Sequence, residues 1–164
     1  MISDNFFSSS APNPTSNMMK LIHFEKINFD KTVEIKSKEL TMVPWCQKIF
    51  YIDKSIALCT VNINIPYVGN ATSDDSWNSS KIVLFIDDEP IYTGQINSHS
   101  IYDLRPLFIS ADKPYLKEGQ HKLSLKACVY KEDHKLAIPF VDLNDVENTV
   151  EPKNFATIKI IGFY

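Results

Sequence analysis

The stretch Lys81-Ile-Val-Leu-Phe-Ile-Asp-Asp-Glu-Pro-Ile-Tyr-Thr-Gly94 places three consecutive acids between two short apolar runs. Such acids are either ligands of a metal or catalytic site, or the bend of a β-hairpin. Aspartate side chains hydrogen-bond to nearby backbone in turns, and Pro90 cannot donate in a central strand, so both favour a turn. A calcium loop needs further ligands at fixed offsets and a glycine at the bend, which are missing here. We therefore predict a hairpin that turns at Asp87, Asp88 and Glu89.

Segments on both sides of this hairpin alternate apolar and polar residues with the period of half-buried strands. The clearest is 115–130, where a turn at Glu118 and Gly119 precedes an alternating run. No window of helical length carries an i, i+3, i+4, i+7 apolar stripe. The pattern predicts an all-β fold, an antiparallel β-sandwich or barrel of about eight strands joined by hairpins and loops. The other predicted strands are 21–29, 32–36, 48–52, 56–65, 82–86, 90–93, 102–109 and 155–164, with Pro106 confining 102–109 to a sheet edge.

Two stretches predict long exposed loops. The first, 66–80, is rich in Asn, Asp and Ser, and the second is 131–154. Trp77 and Asn78 lie in the first loop and are candidate ligand-binding residues. Aromatic rings can stack on sugar faces while loop amides take the hydroxyls, but core packing is the more ordinary use of such rings. The aromatic residues open to both interpretations are Trp45, Tyr67, Trp77, Tyr92 and Tyr102.

The chain of 164 residues fits one domain, which we place at 20–164. Residues 1–19 are rich in Ser, Asn and Pro and cannot bury enough apolar surface to order themselves, so they predict an extended N-terminal arm. Its apolar pairs are the candidate partner-binding residues, and a neighbouring subunit is the simplest partner. These residues are Phe6, Phe7, Met18 and Met19.

Composition excludes several classes of partner. The net charge is -3 and the lysines are scattered, so no concentrated positive surface is available for nucleic acid. The longest apolar runs fall far short of the roughly 20 residues of a membrane helix, and we expect no membrane span. The N-terminus has no basic region followed by an apolar core, which predicts synthesis in the cytosol without a secretory signal.

Chemistry-bearing motifs are scarce. Cys46, Cys59 and Cys128 are widely spaced without a CxxC, which predicts buried reduced thiols. The four histidines form no HxH or HxxxH pair, so no metal site is predicted. There is no GxSxG and no glycine-rich phosphate loop, although a triad assembled from distant residues would escape this search. We predict no enzyme, no catalytic residue and no cofactor.

The run from Ser80 to Val129 resembles the jelly-roll heads of the tumour-necrosis-factor and complement type, together with viral fibre heads and single-jelly-roll capsid proteins. The resemblance lies in KIVLFIDDEPIYTG and YLKEGQHKLSLKACV, and the final FATIKIIGFY is similar to the closing strand of such domains. It implies a single jelly roll that assembles as a trimer or pentamer through the edges of the sandwich, and it transfers no catalytic residue. The low glycine count and the 131–154 loop depart from the pattern.

The resemblance and the arm together lead to one functional hypothesis. A vertex (penton-type) or minor capsid protein of a large icosahedral virus, forming a homo-oligomeric ring in the virion, would use such an arm to contact neighbouring structural proteins. The alternative is a glycan- or receptor-binding module, a fibre head or a TNF-like or complement-type head, that recognises its ligand through loops 66–80 and 131–154.

Overall fold

The computed structural model describes residues 18–70, 78–98, 104–141 and 155–164. These residues contain ten β-strands and no helix, which confirms the all-β prediction. Eight strands have nine to fifteen residues, and β2 and β9 have two each. The strands are β1 (Met19–Asn28), β2 (Glu34–Ile35), β3 (Thr41–Ile52), β4 (Ile56–Asn70), β5 (Asn78–Ile86), β6 (Glu89–Ser98), β7 (Arg105–Leu116), β8 (Gly119–Val129), β9 (Leu136–Ala137) and β10 (Phe155–Phe163).

The strands form two antiparallel sheets that face each other. In the first, called the β1 sheet, the long strands lie in the order β1-β10-β4-β7, and β9 and β2 extend it at the end of β4. In the second, called the β3 sheet, the order is β3-β8-β5-β6. If only the eight long strands are counted and numbered 1 to 8 along the chain, the strand order is 1-8-3-6 in the first sheet and 2-7-4-5 in the second. This is the strand order of a jelly roll, as the sequence resemblance implies.

One hydrophobic core fills the space between the sheets. Alternate residues of each long strand point into it: on β4 these are Cys59, Val61, Ile63 and Ile65, each at most 1% exposed. Each fully buried Ile or Leu contributes about 1.5–3 kcal/mol relative to an exposed one. The largest fully buried side chains are those of Ile52, Ile56, Ile63, Ile65, Ile82, Leu84, Ile86, Ile109, Leu123, Leu125, Leu136 and Ile138.

The acidic stretch is the predicted hairpin. β5 ends at Ile86 and pairs with Glu89 at the start of β6, leaving a two-residue turn. Asp87 and Asp88 both have positive φ, 51° and 64°, as the type I′ turn of a tight hairpin requires. The reversal before β8 is also confirmed, since β7 ends at Leu116 and Gly119 follows with a φ of 125° that favours glycine.

The first predicted loop was too long, because two strands extend into it. β4 continues to residue 70 and β5 begins at Asn78. Strand β3 likewise begins at Thr41, seven residues before the prediction. Each missed segment contains a proline, Pro66 in β4 and Pro44 in β3, and the register shifts at both places. Bulges and edge positions accommodate prolines that a regular central ladder would exclude.

The prediction of an exposed loop over 131–154 was wrong for residues 136–138. Residues 136–138 are at most 1% exposed, and Leu136 and Ala137 form β9. The indole Nε1 of Trp45 donates to the Ile138 carbonyl at 2.9 Å, and the Trp45 ring packs edge-on against Phe29. The segment that follows β8 therefore belongs to the core, while residues 142–154 lie outside the described part of the chain.

A polar cluster lies where β1 and β3, the edge strands of the two sheets, approach each other. Lys48 Nζ on β3 donates to Glu25 Oε1 on β1 at 2.7 Å, and His23 Nε2 lies 3.3 Å from Glu25 Oε2. The hydrogen bond from Lys48 lowers the pKa of the Glu25 carboxyl from its ordinary 4.5, against the opposing effect of burial. The ion pair joins the two sheets along this flank.

The three cysteines are free and buried, as predicted. Burial raises the pKa of the Cys46 thiol to about 12, and burial with the nearby Asp112 raises that of Cys59 to about 12. Both thiols therefore remain protonated at neutral pH. Within the described ranges there is no helix of the length and apolar character that crossing a membrane requires.

Candidate functional site

The outer face of the β1 sheet carries a row of exposed apolar side chains at its edge. We define the apolar stripe as Met19, Leu21 and Phe24, which are 66%, 54% and 58% exposed. Met18, which is 64% exposed, precedes the stripe and lies opposite Tyr164. Strand β1 pairs only with β10 among the described strands, so its other edge offers backbone groups to another chain.

The register shows why the stripe faces outward. Met19 pairs with Phe163, Leu21 with Ile161 and Phe24 with Lys159, and these β10 residues alternate with the buried Ile158 and Ile160. Paired residues of an antiparallel ladder share one face. A register shift between Leu21 and His23 inserts one extra residue, which lets both Leu21 and Phe24 point outward although they are three positions apart.

The same outer face bears an open groove of about 630 Å³ further along the sheet. Three aromatic side chains from three strands line it: Tyr67 from β4, Phe108 from β7 and Phe155 from β10. Phe108 is 68% exposed, and Lys26 Nζ lies 4.0 Å from the Phe155 ring centroid. We define the aromatic groove by its eight lining residues, Asn64, Ile65, Pro66, Tyr67, Pro106, Phe108, Phe155 and Thr157.

Two polar groups lie among these rings. Asn64 pairs with Phe108 on one side and with Thr157 on the other, so its amide is central in the groove. Asn64 Nδ2 donates to Thr157 Oγ1 at 3.3 Å, which orients the amide. None of the eight lining residues is charged. The arrangement suits a neutral ligand that offers both apolar faces and hydrogen-bonding groups.

Asp87 and His121 form a pair that looks catalytic but holds the fold together. Asp87 Oδ2 lies 2.6 Å from His121 Nδ1, and its Oδ1 accepts from the Lys122 backbone N–H at 2.9 Å. The other ring nitrogen, Nε2, lies 2.8 Å from the Lys117 carbonyl oxygen. Both ring nitrogens thus face backbone or carboxylate acceptors, and neither points at a nucleophile. The pair fastens the β5–β6 turn to β8.

Another acid of the turn, Glu89, contacts a different strand. Glu89 forms an ion pair with Lys113 of β7. In the part of the chain that the structure describes, no group of three His, Cys, Asp or Glu side chains is placed to hold a metal ion.

The predicted site residues fall into three groups. Met19 belongs to the apolar stripe and the exposed Met18 precedes it, and β1 begins at Met19, the last residue of the predicted arm. Phe6, Phe7 and Trp77 lie outside the described residues. Asn78, predicted in an exposed loop, is the first residue of β5 and only 2% exposed. Its Oδ1 lies 2.7 Å from His134 Nδ1 and its Nδ2 donates to the Lys135 carbonyl, so this side chain serves the core.

The aromatic candidates also divide. Trp45 and Tyr92 pack against the core, as the ordinary interpretation of their rings predicts. Tyr67 lines the aromatic groove, whereas Tyr102 lies outside the described residues. Sequence reasoning missed Phe108 and Phe155. Phe108 alternates with the exposed Ser110 and Asp112, which was a weak signal. Phe155 had no such signal, because Ile161 and Phe163 are apolar residues on the same face of β10.

Comparisons with known proteins give only distant similarities. No protein-family model and no curated protein sequence matches the chain. Similar solved structures include the EclA C-terminal domain, described as a sugar-binding protein, at 12% identity and a TM-score of 0.40, covering 94% of this chain and 87% of that one. Eiger TNF from S. frugiperda is similar at 12% identity and a TM-score of 0.43, covering 90% and 92%.

A third similar structure is a particle of Israeli acute paralysis virus, at 10% identity and a TM-score of 0.28, covering 100% of this chain and 82% of that one. A sugar-binding domain, a TNF head and a virus particle thus stand side by side among the similar structures. At such identities and TM-scores none of them assigns a function to this chain.

Proposed function

We propose that the chain is a structural assembly subunit that joins copies of itself into a homo-oligomeric ring. More specifically, we propose a vertex (penton-type) or minor capsid protein of a large icosahedral virus, made in the cytosol and incorporated into the virion. Jelly rolls occur in both capsid and lectin domains, so the fold alone does not choose between them. The observation that supports assembly is the apolar stripe on the edge strand β1.

The stripe supports assembly for two physical reasons. Contiguous exposed apolar side chains on a soluble protein mark interaction surfaces, because burying them against a partner removes apolar area from water. An edge strand adds backbone N–H and C=O groups that a second chain can pair with. Leu21 and Phe24 combine both features. A neighbouring copy that covers this edge would bury the stripe.

The N-terminal residues extend the proposed interface. The described chain starts at Met18, whose carbonyl accepts from the Tyr164 N–H, so residues 1–17 lead directly into the stripe. We propose that Phe6 and Phe7, with Met18 and Met19, anchor this arm on a neighbouring structural protein. The role requires neither catalysis nor a cofactor.

Light scattering on the full chain tests the proposal. We expect a defined oligomer, with five copies for a vertex protein and three for a fibre or cytokine-like head, whereas a monomer at high concentration would contradict assembly. Leu21→Lys with Phe24→Lys should give monomers that still fold. The matched control is Ile49→Lys with Tyr51→Lys, two exposed residues on β3, the edge strand of the other sheet, and it should leave the oligomer intact.

A second experiment tests the arm. Deletion of residues 1–17 should impair assembly while the circular dichroism spectrum and melting temperature of the sandwich stay unchanged. A truncated chain that assembles like the full chain would contradict the docking role of the arm.

The alternative interpretation is a glycan- or receptor-binding head that uses the two predicted loops. Trp77 and residues 142–154 lie outside the described residues, and Asn78 is buried in the core. Of the two loop candidates only Asn78 is described, and its burial leaves it unable to contact a ligand at the surface.

A further inference from the structure

The aromatic groove is a second surface that the assembly role does not use. It lies on the outer face of the β1 sheet, where Asn64, Phe108 and Thr157 occupy neighbouring positions on β4, β7 and β10. Phe108 is 68% exposed and so adds little to the core. An exposed aromatic ring beside two others is the usual composition of a ligand site.

We propose that the aromatic groove binds a neutral oligosaccharide. A sugar ring has an apolar face of C–H groups and a rim of hydroxyls. The rings of Tyr67, Phe108 and Phe155 can pack on the apolar face of the sugar. The amide of Asn64 and the hydroxyl of Thr157 can form hydrogen bonds with its hydroxyl groups.

The lining argues against other chemical classes. None of its eight residues carries a charge that could balance a phosphate, a carboxylate or an ammonium group, and the neighbouring Lys26 ammonium lies against the Phe155 ring. A purely apolar occupant, such as an acyl chain, would bury the polar groups of Asn64 and Thr157 without offering them a hydrogen-bonding partner. A neutral ligand with many hydroxyl groups meets both requirements.

The groove suits a chain of sugars better than a single ring. Its volume of about 630 Å³ lies within the range of roughly 300–1,000 Å³ for small-molecule sites. The next row on the same face of the sheet is polar, since Asn62 on β4 pairs with Ser110 on β7 and with Lys159 on β10. Successive rows on one face are about 7 Å apart, so further sugar units could contact Asn62 and Ser110.

Titration calorimetry of the full-length chain tests the proposal. The probes are neutral hexasaccharides of glucose, mannose and N-acetylglucosamine, with a sulfated oligosaccharide of equal length for comparison. We expect saturable, salt-independent binding of at least one neutral probe. Phe108→Ala and Tyr67→Ala should each weaken it about twofold to tenfold, the range expected for one aromatic contact.

Tyr51→Ala is the matched control, because Tyr51 is 70% exposed on the opposite sheet, and it should leave the affinity unchanged. Melting temperatures show that the variants are folded. The proposal is overturned if wild type binds no neutral probe at millimolar concentration, if Tyr51→Ala weakens binding as much as Phe108→Ala, or if only the sulfated probe binds and salt abolishes it.

Light scattering on Phe108→Ala tests whether the groove binds a second copy of the chain and not a sugar. If the variant loses oligomer mass and wild type binds no sugar, the groove holds a segment of a second copy and the proposal fails. A monomeric wild type that binds a neutral probe would contradict the assembly role and leave the oligosaccharide site standing.

Discussion

The carboxylate of Asp87 lies 2.6 Å from the imidazole Nδ1 of His121, joining the turn of one hairpin to a strand 34 positions further along the chain. The same carboxylate accepts from the Lys122 N–H, and the ring is held from its other side by the Lys117 carbonyl. The acids that most resemble a catalytic cluster thus have a structural role, and this role can be measured.

Asp87→Ala should lower the free energy of unfolding by about 1–3 kcal/mol, because a backbone N–H and a largely buried imidazole lose their acceptor. Urea unfolding monitored by fluorescence gives this value. Glu132→Ala, which changes an exposed acid in another turn, is the control and should stay within about 0.5 kcal/mol of wild type. Equal effects of the two substitutions would refute the role assigned to Asp87.

Asp88 occupies the second position of the type I′ turn with a φ of 64°. Glycine adopts this conformation without a steric penalty, whereas a β-branched residue does not. We expect Asp88→Gly to raise the midpoint of thermal unfolding slightly, and Asp88→Val to cost about 1–2 kcal/mol. If valine is tolerated as well as glycine in the same melting experiment, the turn does not have this geometry in solution.

Glu25 should make stability depend on pH. Its pKa is lowered in the folded chain by Lys48, so the ion pair contributes stability at pH values above the ordinary 4.5, and this contribution is lost as the pH falls through the lowered value. Glu25→Gln should therefore be less stable than wild type at pH 7, by less than about 1 kcal/mol, and the difference should vanish in acid. Denaturant titrations at both pH values measure it. A difference that is constant with pH would exclude the ionised pair as its cause.

The buried thiols should resist alkylation. With a pKa of about 12 for Cys46 and for Cys59, the thiolate fraction at pH 8 is roughly a thousandfold below that of an ordinary cysteine. We expect iodoacetamide to leave both residues unmodified in the folded chain and to label all three cysteines in urea, as peptide mass spectrometry would show. Rapid native labelling of Cys46 would contradict its burial.

Local patterns were sufficient for much of the fold. Alternation predicted most of the long strands, and the acids with Pro90 predicted the hairpin, because turn preferences act through side chains on their own backbone. The predicted strands began after Pro44 and ended before Pro66, whereas a bulge lets each strand continue through its proline. A bulge depends on the partner strand, which lies far away in the sequence.

The candidate functional surfaces were harder to predict, because they form only where distant strands pair with one another. Asn78 is of a residue type that often binds ligands in loops, yet its side chain is buried and contacts His134, 56 positions away. Tyr67, Phe108 and Phe155 come from three strands and meet only because β7 and β10 flank β4. Side-chain periodicity is a property of one strand, and so the sequence could settle the all-β class. Which strands become neighbours depends on how all the apolar side chains are buried in one core. Only the tertiary structure therefore shows which residues share a groove or an edge.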